Sequence, residues 1–445
     1  MNALRTFLLI AGLCLASIEL CIANGRASYI VIEWNERAYE SAFAEDQFLT
    51  FKGQRAHAMM HLAQHDAINH IDRRFYPYAG HGRRPLKHQR RADARAAAAQ
   101  AAHDVLLSQY PQDRKFIDAL LARQLAAIPN GPGKRSGVRV GRRAAAAVLA
   151  LRAHDGIDRE GTYTFTNEPG AYQTTPDWNG FVAYPALGLA KPFAASSGSQ
   201  FRPGPPPQLE SAQYAAAFDE VRRYGTKSST VRTADQTGYA VWWMEFSEGS
   251  VNRLARRLAA QSNMDLWDTA RLFALLNTSL IDTYIAVWDS KYYFNHWRPY
   301  TAIRAAVDDG NGHTIADPHW DSLRPAPPFP EYVSAHAAGC ASAFRVLQTF
   351  FPRHSKFTMR SKTAPPGMPA RSFRSFREAA DECADSRVQL GFHFRYAVDV
   401  GAEMGRDVAK FVLEHRLRRI ALSASRAAVE HAESSMRRKE RQRFK

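Results

Sequence analysis

Two alanine-rich runs, Arg91 to Tyr110 and Arg142 to His154, place the strongest constraint on how this chain can fold. Alanine has the highest helix propensity of the amino acids, and its small side chain lets two helix backbones approach each other closely. Helical periodicity also covers Phe48 to Ile71, whereas the alternating pattern of a half-buried strand is nearly absent from the chain. The sequence therefore predicts closely packed helices and almost no sheet.

Helical periodicity resumes at Leu209, after a stretch from Asp155 to about Pro207 that is rich in Gly, Pro, Ser and Thr. Such a composition predicts a long irregular connection. The helical pattern is clearest over Leu266–Trp288, Ser334–Phe351 and Phe376–Arg419, with predicted loops at Asp308–Pro330 and Pro352–Arg371. We therefore predict an all-α chain with a helical N-terminal region, 24–207, and a helical C-terminal region, 208–425.

The first residues, 1–23, predict a secretory signal peptide. One basic residue precedes an apolar run from Phe7 to Ala16, and small residues lie near Ala23, where we expect cleavage. The apolar run is too short to span a membrane, and no later stretch approaches that length, so we expect no membrane span after cleavage. Glu19 is unusual in such a segment, which leaves an uncleaved anchor as the alternative. We expect the protein to be exported, either periplasmic or secreted.

The formal net charge of +16 raises the question of a nucleic-acid partner. The tail from Arg426 to Lys445 carries seven Lys/Arg residues against three Asp/Glu residues, and charge runs of this kind are usually solvated. We therefore predict a solvated basic tail, 426–445, and no specific nucleic acid partner. A non-enzymatic protein that binds polyanions through this tail is the alternative.

Four cysteines are present, of which Cys14 and Cys21 fall inside the predicted signal peptide. An exported chain could join the other two, Cys340 and Cys383, because disulfides persist in oxidising compartments. Their separation fits no zinc-binding pattern. The sequence leaves open whether they pair.

The segment KYYFNHWRP places two cations, Lys291 and Arg298, among aromatic residues. Seven residues advance a helix by about 700°, so both side chains would lie on one helix face and reach the same small anion. Pro299 disfavours helical backbone at the residue before it, which predicts that Arg298 lies at a helix end. The alternative is that both side chains extend from a half-buried helix to solvent.

The segment PPFPEYVSAHAAGCASAF places Ser334 where it can cap the N-terminus of an alanine-rich helix. The free N–H groups and the positive end of such a helix attract anions, and His336 would lie beside them. The alternative is an ordinary capped helix that carries a surface histidine.

A third cluster, ADSRVQLGFHFRYAVDVG, contains Arg387 and His393, which would point about 240° apart on one regular helix. Gly391 offers a place where the backbone can bend and bring them together. A buried arginine needs a negative partner, because an unpaired buried charge is costly. The alternative to a bound anion is a salt bridge to a nearby acid such as Asp381 or Asp385.

Together, the three clusters supply one lysine, two arginines, a serine at a helix N-terminus and two histidines. Arginine and lysine neutralise the oxygens of a tetrahedral oxyanion, and a histidine can attack or coordinate its central atom. We therefore predict that the clusters form one oxyanion site.

The three clusters resemble the signature of the vanadium-dependent haloperoxidases, which is similar to that of type 2 phosphatidic acid phosphatases and bacterial class A acid phosphatases. The signature runs K-x6-RP, then PSGH, then SR-x5-H. This chain has Lys291-x6-Arg298-Pro299, Val333-Ser334-Ala335-His336 and Ser386-Arg387-x5-His393, in the same order. The segment from His57 to Tyr78 also resembles an N-terminal helix of bacterial haloperoxidase-like proteins. The resemblance implies a helical bundle of the haloperoxidase and acid phosphatase type.

The resemblance also implies residue roles. His393 would be the axial ligand of vanadium, or the nucleophile of a phosphatase, and His336 would be the acid–base partner. The oxygens would be bound by Lys291, which also activates the bound group, and by Arg298, Ser334, the backbone N–H of Ala335 and Arg387. Trp288 and Phe329 resemble the halide pocket of the fungal chloroperoxidases. The implied cofactor is vanadate, the implied substrates are hydrogen peroxide and halide, and a homodimer is left open.

The chain departs from the family signature at two motif positions and from the acid phosphatases at a third. Val333 and Ala335 replace the proline and glycine of the signature, and the methyl of Ala335 would lie close to the anion. The acid phosphatases carry an Asp four residues after the last histidine, where this chain has Ala397, and the nearest acid is Asp399. This missing acid and the aromatic pair of the halide pocket favour the peroxidase, so we predict a haloperoxidase that oxidises halide to hypohalous acid. The alternative is a phosphomonoesterase with a phospho-histidine intermediate, which would act on a phosphomonoester.

A metal enzyme built on His57, His61 and His65 is a further alternative. These residues, followed by Asp66, form a stripe along one helix face. The outer pair would lie about 12 Å apart along the axis, too far for all three to hold one ion. Packed or surface histidines are the simpler interpretation.

Overall fold

The structure is a computed structural model that describes residues 27–45, 51–80, 91–352 and 356–420. The predicted signal peptide and the predicted basic tail lie outside the described residues, so both stay predictions. The N-terminal helices are α1 over 27–45, α2 Phe51–Ile71, α3 Ala94–Gln109, α4 Arg114–Ala126 and α5 Pro132–Arg152. The C-terminal helices are α6 Ala212–Tyr224, α7 Ala234–Trp242, α8 Ser247–Gln261, α9 Leu266–Phe294, α10 Pro299–Arg304, α11 Ala335–Phe350, α12 Phe376–Gln389 and α13 Arg395–His415. The prediction of an all-α protein is confirmed.

The alanine-rich helices α3 and α5 pack against each other at close range. A Cβ atom placed on Gly137 of α5 would lie 2.3 Å from the carbonyl oxygen of Asp93, and one on Gly141 would lie 2.5 Å from that of Ala97. Both distances are shorter than any side chain tolerates, so the two backbones meet where α5 has glycine and α3 has alanine. Small side chains thus position these helices, as the composition predicts.

The predicted irregular connection, 155 to 207, contains only three short 3-10 helices, Pro176–Trp178, Leu187–Leu189 and Gly198–Phe201. Buried carboxylates attach it to the helical core. Asp155 accepts hydrogen bonds from Arg55 at 2.7 Å and Arg152 at 2.9 Å. Asp282 of α9 accepts from the backbone N–H groups of three consecutive residues of the connection, 193–195, at 2.6 to 3.0 Å. These bonds hold the connection against α2, α5 and the middle of α9.

Helix α9 forms the centre of the molecule and packs against α2, α11 and α13. Asp265 caps its N-terminus, and Asn295, in the left-handed conformation with φ 51°, ends it. Among the described helices, α9 alone is long and apolar enough to cross a membrane by length and composition, and 94% of that apolar window is buried inside the fold. It is therefore an exception to the expectation that no later stretch is apolar enough, and in this fold it is a core helix.

The C-terminal part differs from the prediction in one place. The segment 352–371, predicted as loop, contains β1 Phe357–Arg360 and leads into β2 Ala370–Phe373, which pair antiparallel. The helical stretch from Phe376 divides into α12 and α13 at Gly391, where a bend was predicted. Cys340 of α11 and Cys383 of α12 form a disulfide with an S–S distance of 1.96 Å, which answers the question that the sequence left open.

Candidate active site

Lys291 lies in the last turn of α9 with its side chain fully buried. Its Nζ donates hydrogen bonds to the carbonyl oxygens of Pro330 and Glu331, both at 2.9 Å. Burial, reinforced by the nearby charge of Arg298, lowers the pKa of Lys291 well below its usual value, and Glu331 opposes this effect. The alternative in which Lys291 reaches from a half-buried helix to solvent is therefore wrong.

Arg298 is also fully buried. The spacing had predicted that it shares a helix face with Lys291, but it does not. Helix α9 ends at Phe294, and Arg298 is the extended residue that precedes α10, with Pro299 as the first helical residue. The expectation that proline leaves this arginine at a helix end is confirmed. The two cations lie close enough to interact although Arg298 lies outside α9, so the same-face argument was wrong.

The guanidinium of Arg298 is bound by backbone and by a histidine. Its Nε donates to the carbonyl oxygen of Phe329 and its Nη1 to that of Phe392, both at 2.9 Å. Its Nη1 also lies 3.3 Å from Nε2 of His393. The motif's first and third clusters are thus in direct contact.

Ser334 caps α11, as predicted, and its hydroxyl accepts a hydrogen bond from the backbone N–H of Ala337 at 3.4 Å. Ala335 and His336 form the first turn of this helix and line a cavity. The imidazole Nε2 of His336 is buried and has no hydrogen-bond partner among the described residues. Burial, together with Arg387, lowers the pKa of His336 well below its usual value. The alternative of a surface histidine does not fit these surroundings.

Arg387 and His393 are separated by the break that Gly391 was predicted to allow. Helix α12 ends at Gln389, Gly391 is left-handed with φ 78°, and His393 precedes α13. Arg387 donates to the hydroxyl of Ser386 at 3.0 Å and to the carbonyl oxygen of Trp243 at 2.8 Å. Ala335 and His336 of the second cluster and Arg387 and His393 of the third line one cavity, and Arg298 of the first cluster, which is not part of that lining, contacts His393.

The acids considered as partners of Arg387 are engaged elsewhere. Asp381 lies 3.5 Å from Arg377, and Asp385 lies 2.6 Å from Arg395. Burial lowers the pKa of Arg387 to about 9, which shows that its charge lacks a nearby carboxylate. The proposed salt bridge is wrong, and the need for a negative partner stands.

Glu331 is a site residue that the motifs did not identify. Its Oε1 lies 2.8 Å from Nδ1 of His393 and accepts the backbone N–H of Phe394 at 3.0 Å. When Glu331 is ionised, its Oε1 accepts the hydrogen of Nδ1 of His393, and in that tautomer Nε2 keeps a lone pair. A carboxylate behind a ligating histidine fixes the ring and its tautomer in many metal sites. The arrangement thus presents Nε2 as a ligand atom.

Glu331 also corrects the comparison with the acid phosphatases. Asp399 is exposed, as expected from its helix position, but the carboxylate that was missing near the last histidine comes from Glu331, 62 residues earlier. The absence of a nearby acid therefore does not count against a phosphatase. A lone acid inside the apolar segment PPFPEYVS was the signal, because a buried carboxylate needs a partner as much as a buried lysine does.

The site has a surplus of buried positive charge. Three cations face one carboxylate, and burial lowers the pKa of Arg298 to about 10 and raises that of Glu331 to about 8. Burial, with the repulsion of the three cations, also lowers the pKa of His393. Nη2 of Arg298 is buried without a partner within the described residues, like Nε2 of His336. The unpaired Nη2 of Arg298, close to Nε2 of His393, fits a tetrahedral oxyanion such as vanadate or phosphate.

The cavity next to these residues has a volume of about 410 Å³. Trp288 and Phe329, the predicted halide-pocket residues, line it together, with ring centroids 4.9 Å apart. The Nζ of Lys291 lies 5.1 Å from the ring of Phe329. The aromatic residues thus form an apolar wall directly beside the cations.

The histidine stripe of α2 is not a metal site. His57 bonds the carbonyl oxygen of Gly53, while His61 bonds Asn35 and Gln64. Nδ1 of His65 lies 3.0 Å from Oδ1 of Asp66. The three rings use different partners, and within the described part of the chain they do not converge on one point. The interpretation as packed histidines is supported.

Comparisons with known proteins agree with this geometry. Residues 271–421 match the protein family described as the VCPO second helical-bundle domain. Vanadium chloroperoxidase of Curvularia inaequalis is 29% identical over 194 residues, which cover 36% of this chain and 31% of that protein. The match therefore spans less than a third of that relative.

Two solved structures share the fold over most of the chain. A bacterial vanadium-dependent iodoperoxidase has a TM-score of 0.75 and 24% identity, covering 89% of this chain and 98% of that one. The vanadium-bound form of a bacterial chloroperoxidase has a TM-score of 0.64 and 20% identity, covering 81% and 90%. The resemblance to the vanadium haloperoxidases that the three motifs indicated is confirmed: residues 271–421 match the family described as the VCPO second helical-bundle domain, and the chain shares the helical fold of the bacterial vanadium haloperoxidases.

Proposed function

We propose that this protein is an exported, vanadate-dependent haloperoxidase, which converts halide, hydrogen peroxide and a proton into hypohalous acid and water. The observation that carries the proposal is the surplus of buried positive charge around His393. Three cations, Lys291, Arg298 and Arg387, surround a histidine whose Nε2 lone pair is held in place by Glu331. The first helical turn of α11 adds Ser334 and the N–H of Ala335.

Each residue of the site has a proposed role that follows from its chemistry. His393 would coordinate the metal through Nε2, and the cations would neutralise the oxygens around it. When bound, vanadate supplies a Lewis acid that activates hydrogen peroxide without changing its own oxidation state. Lys291 already donates to two carbonyl oxygens, so its third N–H would be the one available to an oxygen of the anion.

His336 is the proposed acid–base group. Its lowered pKa keeps the imidazole neutral at neutral pH, so Nε2 can take a proton from hydrogen peroxide as the peroxide enters. The same atom can return the proton when hypohalous acid leaves. Trp288 and Phe329 would hold the halide beside Lys291, where the apolar wall removes water from it.

A phosphomonoesterase is the second candidate, because the Glu331–His393 pair also orients a histidine for nucleophilic attack. In that reaction Nε2 of His393 would take the phosphoryl group, and His336 would protonate the leaving alcohol.

One paired assay separates the two functions. Purified protein is incubated with vanadate, hydrogen peroxide and chloride, bromide or iodide, and in parallel with a phosphomonoester but no vanadate. We expect hypohalous acid with at least one halide and little phosphate release. Phosphate release without halide oxidation would overturn the proposal, and a His393→Ala variant shows whether either activity belongs to this site. The culture supernatant and periplasm of cells that express the full chain test export.

A further inference from the structure

The disulfide between α11 and α12 lies next to His336. Cys340 follows His336 by four residues on α11, and Cys383 lies on α12. Both cysteines are fully buried, and Sγ of Cys383 is 3.9 Å from the carbonyl oxygen of His336. The two sulfurs and a ring nitrogen of His336 all lie within 4.8 Å of one another. The proposed acid–base group is therefore in close contact with a disulfide that the proposed reaction does not use.

His336, Cys340 and Cys383 have the arrangement of metal ligands once the disulfide is open. Residues four apart on a helix project from one face, and zinc enzymes use this spacing to direct two ligands at one ion. His336 and Cys340 have that spacing, and Cys383 supplies a third ligand from the neighbouring helix. It is the one group of three histidine, cysteine or acidic side chains among the described residues that could hold a metal ion.

The ring of His336 is ready to act as a ligand. It forms a hydrogen bond with the backbone of Trp243, whereas its Nε2 is buried and has no partner in the part of the chain that the structure describes. In the tautomer in which the backbone accepts the ring's hydrogen, the other nitrogen carries a lone pair. Burial, together with the charge of Arg387, lowers the pKa of His336, so the ring is neutral at neutral pH. The neutral ring is the form that binds a metal.

Two thiolates and an imidazole select zinc among the common cations. Thiolates favour zinc and copper(I) over magnesium and calcium, and imidazole also suits zinc. Zinc, two thiolates and a neutral imidazole carry no net charge together, so they add nothing to the surplus of positive charge around Arg298 and Arg387. Zinc also has no redox chemistry of its own and leaves the thiolates reduced.

We propose that opening the disulfide creates a zinc site formed by Cys340, Cys383 and His336, and that zinc bound there keeps the protein inactive. A ring nitrogen that coordinates zinc cannot accept a proton, and the charge of the ion makes the other ring nitrogen less basic. Zinc would thus remove the acid–base group from the reaction. The zinc site itself does not depend on vanadate, whereas its effect on activity rests on the proposed function.

Opening and closing the disulfide each balance with a named reagent. A dithiol opens it: the two sulfurs gain two electrons and two protons, and the dithiol becomes a disulfide. Zinc then displaces the two protons from the thiols. Hydrogen peroxide, the oxidant of the proposed function, closes the disulfide again. It takes two electrons from the thiolates and two protons from water, the sulfur–sulfur bond forms, and two waters and the zinc ion leave. Peroxide would thereby free His336 for the reaction.

The binding test uses cobalt(II), which takes the place of zinc and absorbs light according to its ligands. The full chain carries Cys14→Ser and Cys21→Ser, which leaves Cys340 and Cys383 as its only cysteines. Dithiothreitol opens the disulfide and is removed under nitrogen, and near-ultraviolet circular dichroism checks that the fold is kept. We expect the reduced protein to bind one cobalt ion per chain, with sulfur-to-cobalt charge-transfer bands that zinc abolishes. The oxidised protein should show no such bands.

Substitutions test each ligand. Cys383→Ser and His336→Ala should each weaken zinc binding to the reduced protein at least about 100-fold, because even the outer partners of metal ligands are worth about 10- to 100-fold. At saturating cobalt, His336→Ala should keep the charge-transfer bands, since both sulfurs remain. His415→Ala, at an exposed histidine of α13, is the matched control and should change neither affinity nor spectrum. A zinc affinity that His336→Ala leaves unchanged would overturn the proposal, as would a disulfide that cannot be opened without loss of the fold.

The effect on activity is tested by mixing zinc-loaded, reduced protein with vanadate, hydrogen peroxide and chloride, bromide or iodide. We expect a lag before halide oxidation, and the lag should shorten as the peroxide concentration rises, because peroxide closes the disulfide. The oxidised protein and the reduced protein without zinc should start without a lag. Equal time courses for the reduced protein with and without zinc would refute the inhibitory role. A protein that binds cobalt as expected but oxidises no halide in its disulfide form keeps the metal site and refutes the haloperoxidase.

Discussion

Two regions of this molecule contain buried histidines, but only one of them has the features of a reaction site. In α2, burial lowers the pKa of His57 to about 4, and it also lowers the pKa of His61 well below its usual value. His336 and His393 show the same direction of shift. A buried histidine with a lowered pKa therefore does not distinguish the two regions.

The charge around the rings does distinguish them. The amides of Asn35 and Gln64 form hydrogen bonds with both ring nitrogens of His61. In the histidine stripe of α2, only Nε2 of His65 has no hydrogen-bond partner among the described residues. Around His393, three buried cations face one carboxylate. Uncompensated buried charge is costly, so a chain keeps it where a ligand supplies the opposite charge. The surplus of cations, rather than the histidines, marks the site.

The largest expected effect comes from removing one histidine in each region. His393→Ala should abolish vanadate binding, because it deletes the proposed metal ligand and leaves the cations without a side chain that can coordinate the anion. His61→Ala should leave vanadate affinity unchanged but lower the free energy of unfolding, since Asn35 and Gln64 lose a buried partner. Equilibrium dialysis with vanadate and urea unfolding measure the two quantities. A His61→Ala protein that fails to bind vanadate would break the distinction between the regions.

The next effect tests whether Glu331 acts through His393. Glu331→Gln keeps the size of the side chain but removes the carboxylate that holds Nδ1–H, so vanadate affinity should fall about 10- to 100-fold. Asp399→Asn is the matched control, since this carboxylate is exposed and should not matter. Binding by dialysis is the measurement. Equal affinities for Glu331→Gln and wild type would show that His393 needs no orienting carboxylate.

The N-terminal helices should instead respond to changes in packing. Gly137→Ala places a methyl where 2.3 Å separates it from the Asp93 carbonyl oxygen, so α3 and α5 must move apart. We expect a loss of about 1–3 kcal/mol in the free energy of unfolding, typical of overpacking, with no change in vanadate affinity. Gly133→Ala on the same helix, where the Cβ would lie 3.1 Å from Arg91, should cost less. Unfolding in urea compares the two.

The difference between local and long-range contacts explains which features of the fold and of the site could be predicted from the sequence. The helices followed from alanine content and periodicity, and the ion-binding residues followed from their spacing and their resemblance to a family, because both signals are local. The shared face assumed for Lys291 and Arg298 was wrong because the left-handed Asn295 ends α9 between them. Glu331 was missed because its only local signal is a lone acid in an apolar segment, and nothing local identifies its partner His393, which lies 62 residues further along the chain.

The smallest effect is electrostatic and lies in the N-terminal region. Burial acts to lower the pKa of His103, but its ring nitrogens bond Asp104 at 2.7 Å and Asp118 at 2.8 Å, and these carboxylates raise the pKa above 6.5. The protonated ring therefore stabilises the fold fully below pH 6.5, and this contribution is lost as the pH rises through the higher folded-state pKa. Because Asp118 is half-exposed, screening limits it to about 1 kcal/mol or less. His103→Gln should remove this part of the pH dependence, which urea unfolding on both sides of pH 6.5 detects. An unchanged slope in the variant would mean that the bridge between α3 and α4 contributes through packing alone.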